Sequence, residues 1–225
     1  MNQVRTSMIA VTMVLIGLAA SHGPGETMSD NQRLILAADE NDTATVRRLL
    51  KAGANIYVRD GQGRTALLAA TSHNHVESAR LLIEAGADVN AQDKKLDSPL
   101  LLSGASGYLE ILTLALKAKP NFKIYNRFGG TALIPACERG HVEVVRALLN
   151  SDVDVNHVNN LGWTALLEAI ILGDGGPRHQ EIVRMLVAAG ASVNIPDRES
   201  VTPLQHARQK GYREIVGALE AAGAR

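Results

Sequence analysis

From Asp60 to Asn90 the chain reads DGQGRTALLAATSHNHVESARLLIEAGADVN. Thr65 is a good N-cap residue, and Leu67, Ala70 and Thr71 follow it at helical spacing. Asn74 breaks this run, and a second one extends from Val76 to Ala85. Gly86 supplies the residue that ends a helix with positive φ. Ala87-Asp88-Val89-Asn90 then alternates toward a new turn at Asp93. The pattern predicts two short helices and a turn. Neither helix is long enough to be stable alone in water, so the unit needs neighbours.

The neighbours are spaced along the chain. Leu67, Leu100, Leu133 and Leu166 stand 33 residues apart, as do Thr65, Ser98, Thr131 and Thr164. Thr202 and Leu204 come 38 residues after the last of each set, so five residues have been inserted. Backwards, Leu34, Ala37, Leu49 and Gly53 precede Leu67, Ala70, Leu82 and Gly86 by 33. Six units result, over about 31–60, 61–93, 94–126, 127–159, 160–197 and 198–225. Within them one four-residue signature reads TALL at Thr65, SPLL at Ser98, TALI at Thr131, TALL at Thr164 and TPLQ at Thr202. A second reads NHVE, GYLE, GHVE and GYRE at Asn74, Gly107, Gly140 and Gly211, and GADVN is intact at Gly86–Asn90. This register resembles the ankyrin repeat family over residues 31–225. The resemblance implies an all-α solenoid of six helix-turn-helix units with β-turn fingers.

The end units are expected to be caps. Arg48 occupies the place of Leu81, and Glu220 the place of Ile83, which suits terminal repeats that need a polar outer face. Unit three departs most, with Leu96 for the turn glycine and Lys119-Pro120 for the helix-ending Gly-Ala. Asp152 stands at the same helix end in unit four. The insertion in unit five, Asp174–Arg178, is expected to form a protruding loop between two helices.

Ahead of the array, Arg5 is followed by an apolar run, Met8–Ala20, and by Ala19-Ala20-Ser21. These are the features of a secretory signal peptide, expected over residues 1–21 with cleavage after Ser21. The run is shorter than the roughly 20 residues that span a bilayer. An uncleaved anchor, making the protein a membrane-anchored scaffold, is the alternative. Residues 22–30 read as a linker. The mature protein is expected to be periplasmic or secreted, monomeric, and without stable membrane insertion.

Composition narrows the function. Lysine plus arginine equals aspartate plus glutamate at 23 each, so no basic face recommends nucleic acid. Aromatics are 3%, which suits close helix packing rather than a large ligand cage. The one cysteine, Cys137, reads as a buried structural thiol rather than a nucleophile. His73 and His75 sit at i, i+2, a spacing that does not share a helix face, so no metal site is expected. Glu77, Glu110, Glu143, Glu181 and Glu214 recur at one register and serve the unit. Asp174–Pro177 lacks the Gly-Lys-Ser/Thr of a phosphate loop. No cofactor is expected and no enzyme signature survives, although an enzyme with an unrecognised site stays open as a third reading.

What remains is a surface. The family resemblance implies a concave binding face made by turn tips and the exposed side of each first helix, with the His or Tyr of the second signature bonding neighbouring loops. Carried over by register, the apolar part of that face is Phe128, Leu161, Trp163, Ile171 and Leu172, with Arg127, Glu138 and Arg139 as its polar rim. Exposed aromatics at the centre of a face are typical binding anchors, and Trp163, the one tryptophan in the chain, is the expected anchor against units four and five. The competing reading is that these side chains pack on each other and on the insertion. The expected partner is another protein. The short apolar leader and compact array are similar to periplasmic ankyrin repeat proteins of Gram-negative bacteria. That likeness implies either stress protection alongside catalase or an inhibitor or immunity role toward a secreted effector.

Overall fold

The structure, a computed structural model, describes residues 28–225. The signal segment expected over 1–21, and most of the 22–30 linker, lie outside the described residues. Ser29 already caps the first helix, accepting from Gln32 N while the Gln32 side chain returns to the Ser29 backbone.

Twelve helices follow in pairs: α1 (Asp30–Asp39) and α2 (Thr43–Lys51), α3 (Ala66–Ser72) and α4 (Val76–Glu84), α5 (Pro99–Ser106) and α6 (Leu109–Lys117), α7 (Leu133–Glu138) and α8 (Val142–Leu149), α9 (Ala165–Ile171) and α10 (Pro177–Ala188), α11 (Pro203–Gln209) and α12 (Arg213–Ala221). There is no strand among the described residues. The odd-numbered helices pack in one row and the even-numbered helices in a second, each helix against its counterparts one unit away. The leucine register explains why. Leu34, Leu67, Leu100, Leu133, Leu166 and Leu204 are all buried, as are Leu49, Leu82, Leu148, Leu186 and Leu219 in the second row. Each unit buries little alone, and stacking makes one continuous core. Arg48 and Glu220 are exposed, as expected of terminal units.

The turns carry a second register. The Oδ1 of Asp60 accepts from the backbone N–H of Gln62 and Arg64. Asp93, Asn126, Asn159 and Asp197 repeat the same two bonds in the later units. One side-chain oxygen therefore closes every finger, where the backbone bond from Gly63 N to Asp60 O also forms. In units two, five and six the histidine or tyrosine at the second-signature position ties the unit to the one before. His75 Nε2 lies 3.1 Å from Asp39 O, His179 Nε2 3.0 Å from Glu138 O, and Tyr212 donates to Gly173 O at 2.9 Å.

Unit four breaks the helix-start rule. Thr65, Ser98, Thr164 and Thr202 each accept from the backbone N–H three residues on. Thr131 does not, and its Oγ1 is buried without a partner. Pro135 is the cause. In the other units the corresponding N–H bonds the cap carbonyl, as Ala69 N does to Thr65 O. Proline has no N–H to give, and the helix starts later, at Leu133.

Units three and four also lack a helix-ending bond. Ala54, Ala87, Ala191 and Ala224 N–H groups close helices on Leu49, Leu82, Leu186 and Leu219 O. Pro120 cannot donate, and Lys119 before it is forced to φ 54°. A hollow of about 550 Å³ opens between these two helix ends, lined by Leu116, Pro120, Phe122 and Asp152.

The insertion differs from a free loop. Pro177 and Arg178 begin α10, because proline at the first helical position gives up no needed hydrogen bond. The remaining loop is pinned: Asp174 Oδ1 meets His179 Nδ1 at 2.7 Å, and Gly175 lies against the Tyr212 ring, where a side chain would not fit.

Candidate functional site

The odd-numbered helices and the fingers before them share one face of the array. At its first end the charges on this face are already engaged with one another. Arg64 bonds Asp39 at 2.9 Å and Asp60 at 2.8 Å. His73 and His75 belong to this end too, but to the turn between α3 and α4 rather than to a helix face. Their rings stack at 5.6 Å, with His73 3.5 Å from the Asp39 carboxylate. Among the described residues no group of three or more His, Cys, Asp or Glu side chains is placed to hold a metal ion.

At the centre the face opens. A hollow of about 350 Å³ lies between the fingers and helices of units four and five. Six of the residues singled out from the sequence meet there: Arg127, Phe128, Glu138, Arg139, Leu161 and Leu172. Phe128, Leu161 and Leu172 are about half exposed, so the apolar wall faces solvent. A second hollow of about 230 Å³ adjoins it through Arg127, Phe128, Glu138 and Arg139, and reaches Asp97 and Leu102 of unit three. Trp163 and Ile171 are only partly buried, yet neither lines these hollows. Trp163 sits at the base of its finger, next to the Thr164 cap, and its backbone N–H donates to Asn159.

Sequence reasoning missed the floor. Glu168 on α9 lines the hollow and is 5% exposed. Asn159 Nδ2 donates to its Oε1 at 2.9 Å. No described residue bonds its Oε2. Burial, and then the neighbouring Glu138 charge, push its carboxyl up to about 7, against the Asn159 bond that opposes the shift. Asp97, at the far end of the groove, is also raised, by burial and the nearby Asp93. Its one ion pair is a 4.0 Å contact to Arg127.

Both arginines of the rim are engaged. The Arg127 guanidinium lies 4.7 Å from the centre of the Phe128 ring, and Arg139 Nη1 donates to Ala105 O at 2.6 Å. Beneath them Cys137 is fully buried, and burial holds its thiol far above the usual range, so it is a structural residue.

The signal for Glu168 lies in its register. Its counterparts are Ala69, Leu102, Pro135 and His206. A charged residue that replaces alanine, leucine and proline does not serve the unit.

Comparison with known proteins agrees with this architecture. The chain matches the family described as ankyrin repeats (three copies) over residues 14–93, 34–123 and 100–197. The protein YahD of Escherichia coli K12, described as an ankyrin repeat protein, is 49% identical over 57 residues. That stretch is 25% of this chain and 28% of YahD, so the match spans under a third of that relative. The crystal structure of an ankyrin repeat domain from Acinetobacter baumannii is 54% identical. It superposes with a TM-score of 0.84, covering 86% of this chain and 98% of that one. A second crystallised ankyrin repeat protein is 40% identical with a TM-score of 0.83, over the same shares. The ankyrin repeat domain of Bcl-3, at 24% identity and a TM-score of 0.77 over 89% of this chain and 88% of that one, shares the fold. Family match, solved relatives and repeating geometry coincide: the chain belongs to the ankyrin repeat family.

Proposed function

We propose that this protein is an exported, non-catalytic binding protein that holds another protein against the concave face of units four and five. Ankyrin repeats generally bind other proteins, so the question is where. The observation that carries the reading is the central hollow. Its exposed wall of Phe128, Leu161 and Leu172 surrounds a buried carboxylate, while the charges at the first end of the face are already paired. Apolar anchors ringed by polar side chains are the usual make-up of an interface core. Arg127, Glu138 and Arg139 form the rim, and Trp163 and Ile171 support the apolar strip from beside it.

Phe128→Ala with Leu161→Ala should weaken partner binding by about 30-fold or more, since central anchors carry about 2–4 kcal/mol. The melting curve should barely move, because both side chains are exposed. Unchanged affinity in the double variant overturns the site.

Export rests on the apolar run Met8–Ala20 and the small residues after it. Among the described residues no helix is long and apolar enough to cross a membrane. The mature chain should begin at or near His22. Intact Met1 on protein extracted from membranes favours the anchored alternative. The two partner classes to test first are a secreted enzyme that this protein inhibits and a component of oxidative-stress defence.

A further inference from the structure

The central hollow says more than that something binds. Three carboxylates face the groove, Asp97, Glu138 and Glu168. Glu138 and Glu168 form no ion pair with any described residue, and the one Asp97 contact is at the 4.0 Å limit. Glu168 lies under an apolar wall with one oxygen held by Asn159 and the other unbonded. Unlike the sealed Thr131 hydroxyl, that second oxygen opens to the hollow and can accept from a donor that enters it. The nearby arginines do not fill it, since Arg127 stacks on Phe128 and Arg139 bonds the unit-three backbone.

We infer that the hollow receives one basic side chain, arginine or lysine, from the partner protein, with Glu168 Oε2 as its carboxylate and Phe128, Leu161 and Leu172 around its aliphatic stem. This inference rests on the concave-face reading above and names what that face selects. The shape suits such a side chain: a long apolar stem against the wall and a charged head at the floor. The cation should also bind better once Glu168 is ionised. The groups around Glu168 are Glu138, Cys137 and Arg139 from α7 and its end, Arg127 from the finger before it, and Asn159 from its own finger. On the α11 side His206 is committed to Asp197 at 2.7 Å. Burial and the Glu138 charge raise the Glu168 carboxyl to about 7.

The test is selection from a phage-displayed random dodecapeptide library on the protein lacking residues 1–21, followed by anisotropy titration of the leading peptide. Selected peptides should share an arginine or lysine beside an apolar residue. Glu168→Gln, which keeps the Asn159 acceptor, should weaken that peptide about tenfold or more. Wild-type affinity should rise between pH 6 and pH 8, and Glu168→Gln should lose that rise while melting normally. Glu138→Gln should weaken binding less, and a peptide with its basic residue changed to norleucine should fail. Enrichment of acidic peptides, no enrichment, or equal binding by Glu168→Gln each overturns the inference. Enriched apolar peptides without a basic residue, lost in Phe128→Ala, would leave the face as the binding surface and remove only the basic side chain. Binding indifferent to every change in the hollow would remove both readings.

Discussion

Asn159 donates to Glu168 at 2.9 Å, and one unit later the same two positions hold Asp197 and His206 at 2.7 Å, with the carboxylate now on the finger instead of the helix. Both first residues close their finger with Oδ1. What differs is the second side-chain atom. An aspartate presents another acceptor, which suits His206. An asparagine presents a donor, which suits a carboxylate. Asn159 and Glu168 are thus a matched pair, nine residues apart.

The pair carries a pH signature. The folded carboxyl of Glu168 sits at about 7 against an ordinary 4.5, so between these values the folded state holds a proton that the unfolded chain releases. Stability from this group is therefore greatest below about 4.5, falls across the interval and is level above 7. Glu168→Gln should be more stable than wild type at pH 8 by about 1–3 kcal/mol, since each tenfold change in proton affinity on folding is worth about 1.4 kcal/mol. At pH 4.5 the two should match. Urea melts at both values check this, and an equal difference at both would refute the assignment. A carboxylate that lowers stability at neutral pH fits a residue retained for binding.

Thr131 and Thr164 offer a second contrast. Thr164 accepts from Leu167 N, whereas the Thr131 hydroxyl is buried without a partner. Thr164→Val should cost about 1 kcal/mol, the usual loss of a cap. Thr131→Val should be neutral or stabilising by up to about 1 kcal/mol, because an isosteric methyl replaces an unpaired hydroxyl. Chemical denaturation of both variants measures it. An equal cost would mean that Thr131 caps its helix after all.

The seam between units three and four should be repairable. Asn90, Asn156 and Asn194 each accept from a backbone N–H of the next unit, Asn121, Ser192 and Arg225 respectively. Lys123 stands in this register and offers no acceptor to the Asp154 N–H. Lys123→Asn should add the bond and raise stability by about 1 kcal/mol. Hydrogen exchange should slow at Asp154 in the variant. No change there would show that the seam cannot close on it.

How far the sequence could be read follows from these residues. The stack was legible because Leu67 and its counterparts recur at a fixed interval and all point inward. Six of the eight expected surface residues meet in one hollow because finger tips and helix faces keep the same register. Trp163 was expected at an exposed tip, but its position, shared with Arg64 and Asp97, lies at the finger's base, where part of a side chain turns inward. Glu168 was illegible as a site. It is a single departure from the pattern, and its meaning depends on Asn159 across the finger. The inserted loop was read too freely because Pro177 can open a helix as well as end one.

The central claim is that the partner lies on the concave face at units four and five. Photo-crosslinking tests it most directly, with benzoylphenylalanine placed singly at Phe128, at Leu161 and at Glu110 on the exposed side of α6. The account predicts one shared crosslinked partner from Phe128 and Leu161 and none from Glu110. A partner caught from Glu110 and absent from both concave positions would contradict it.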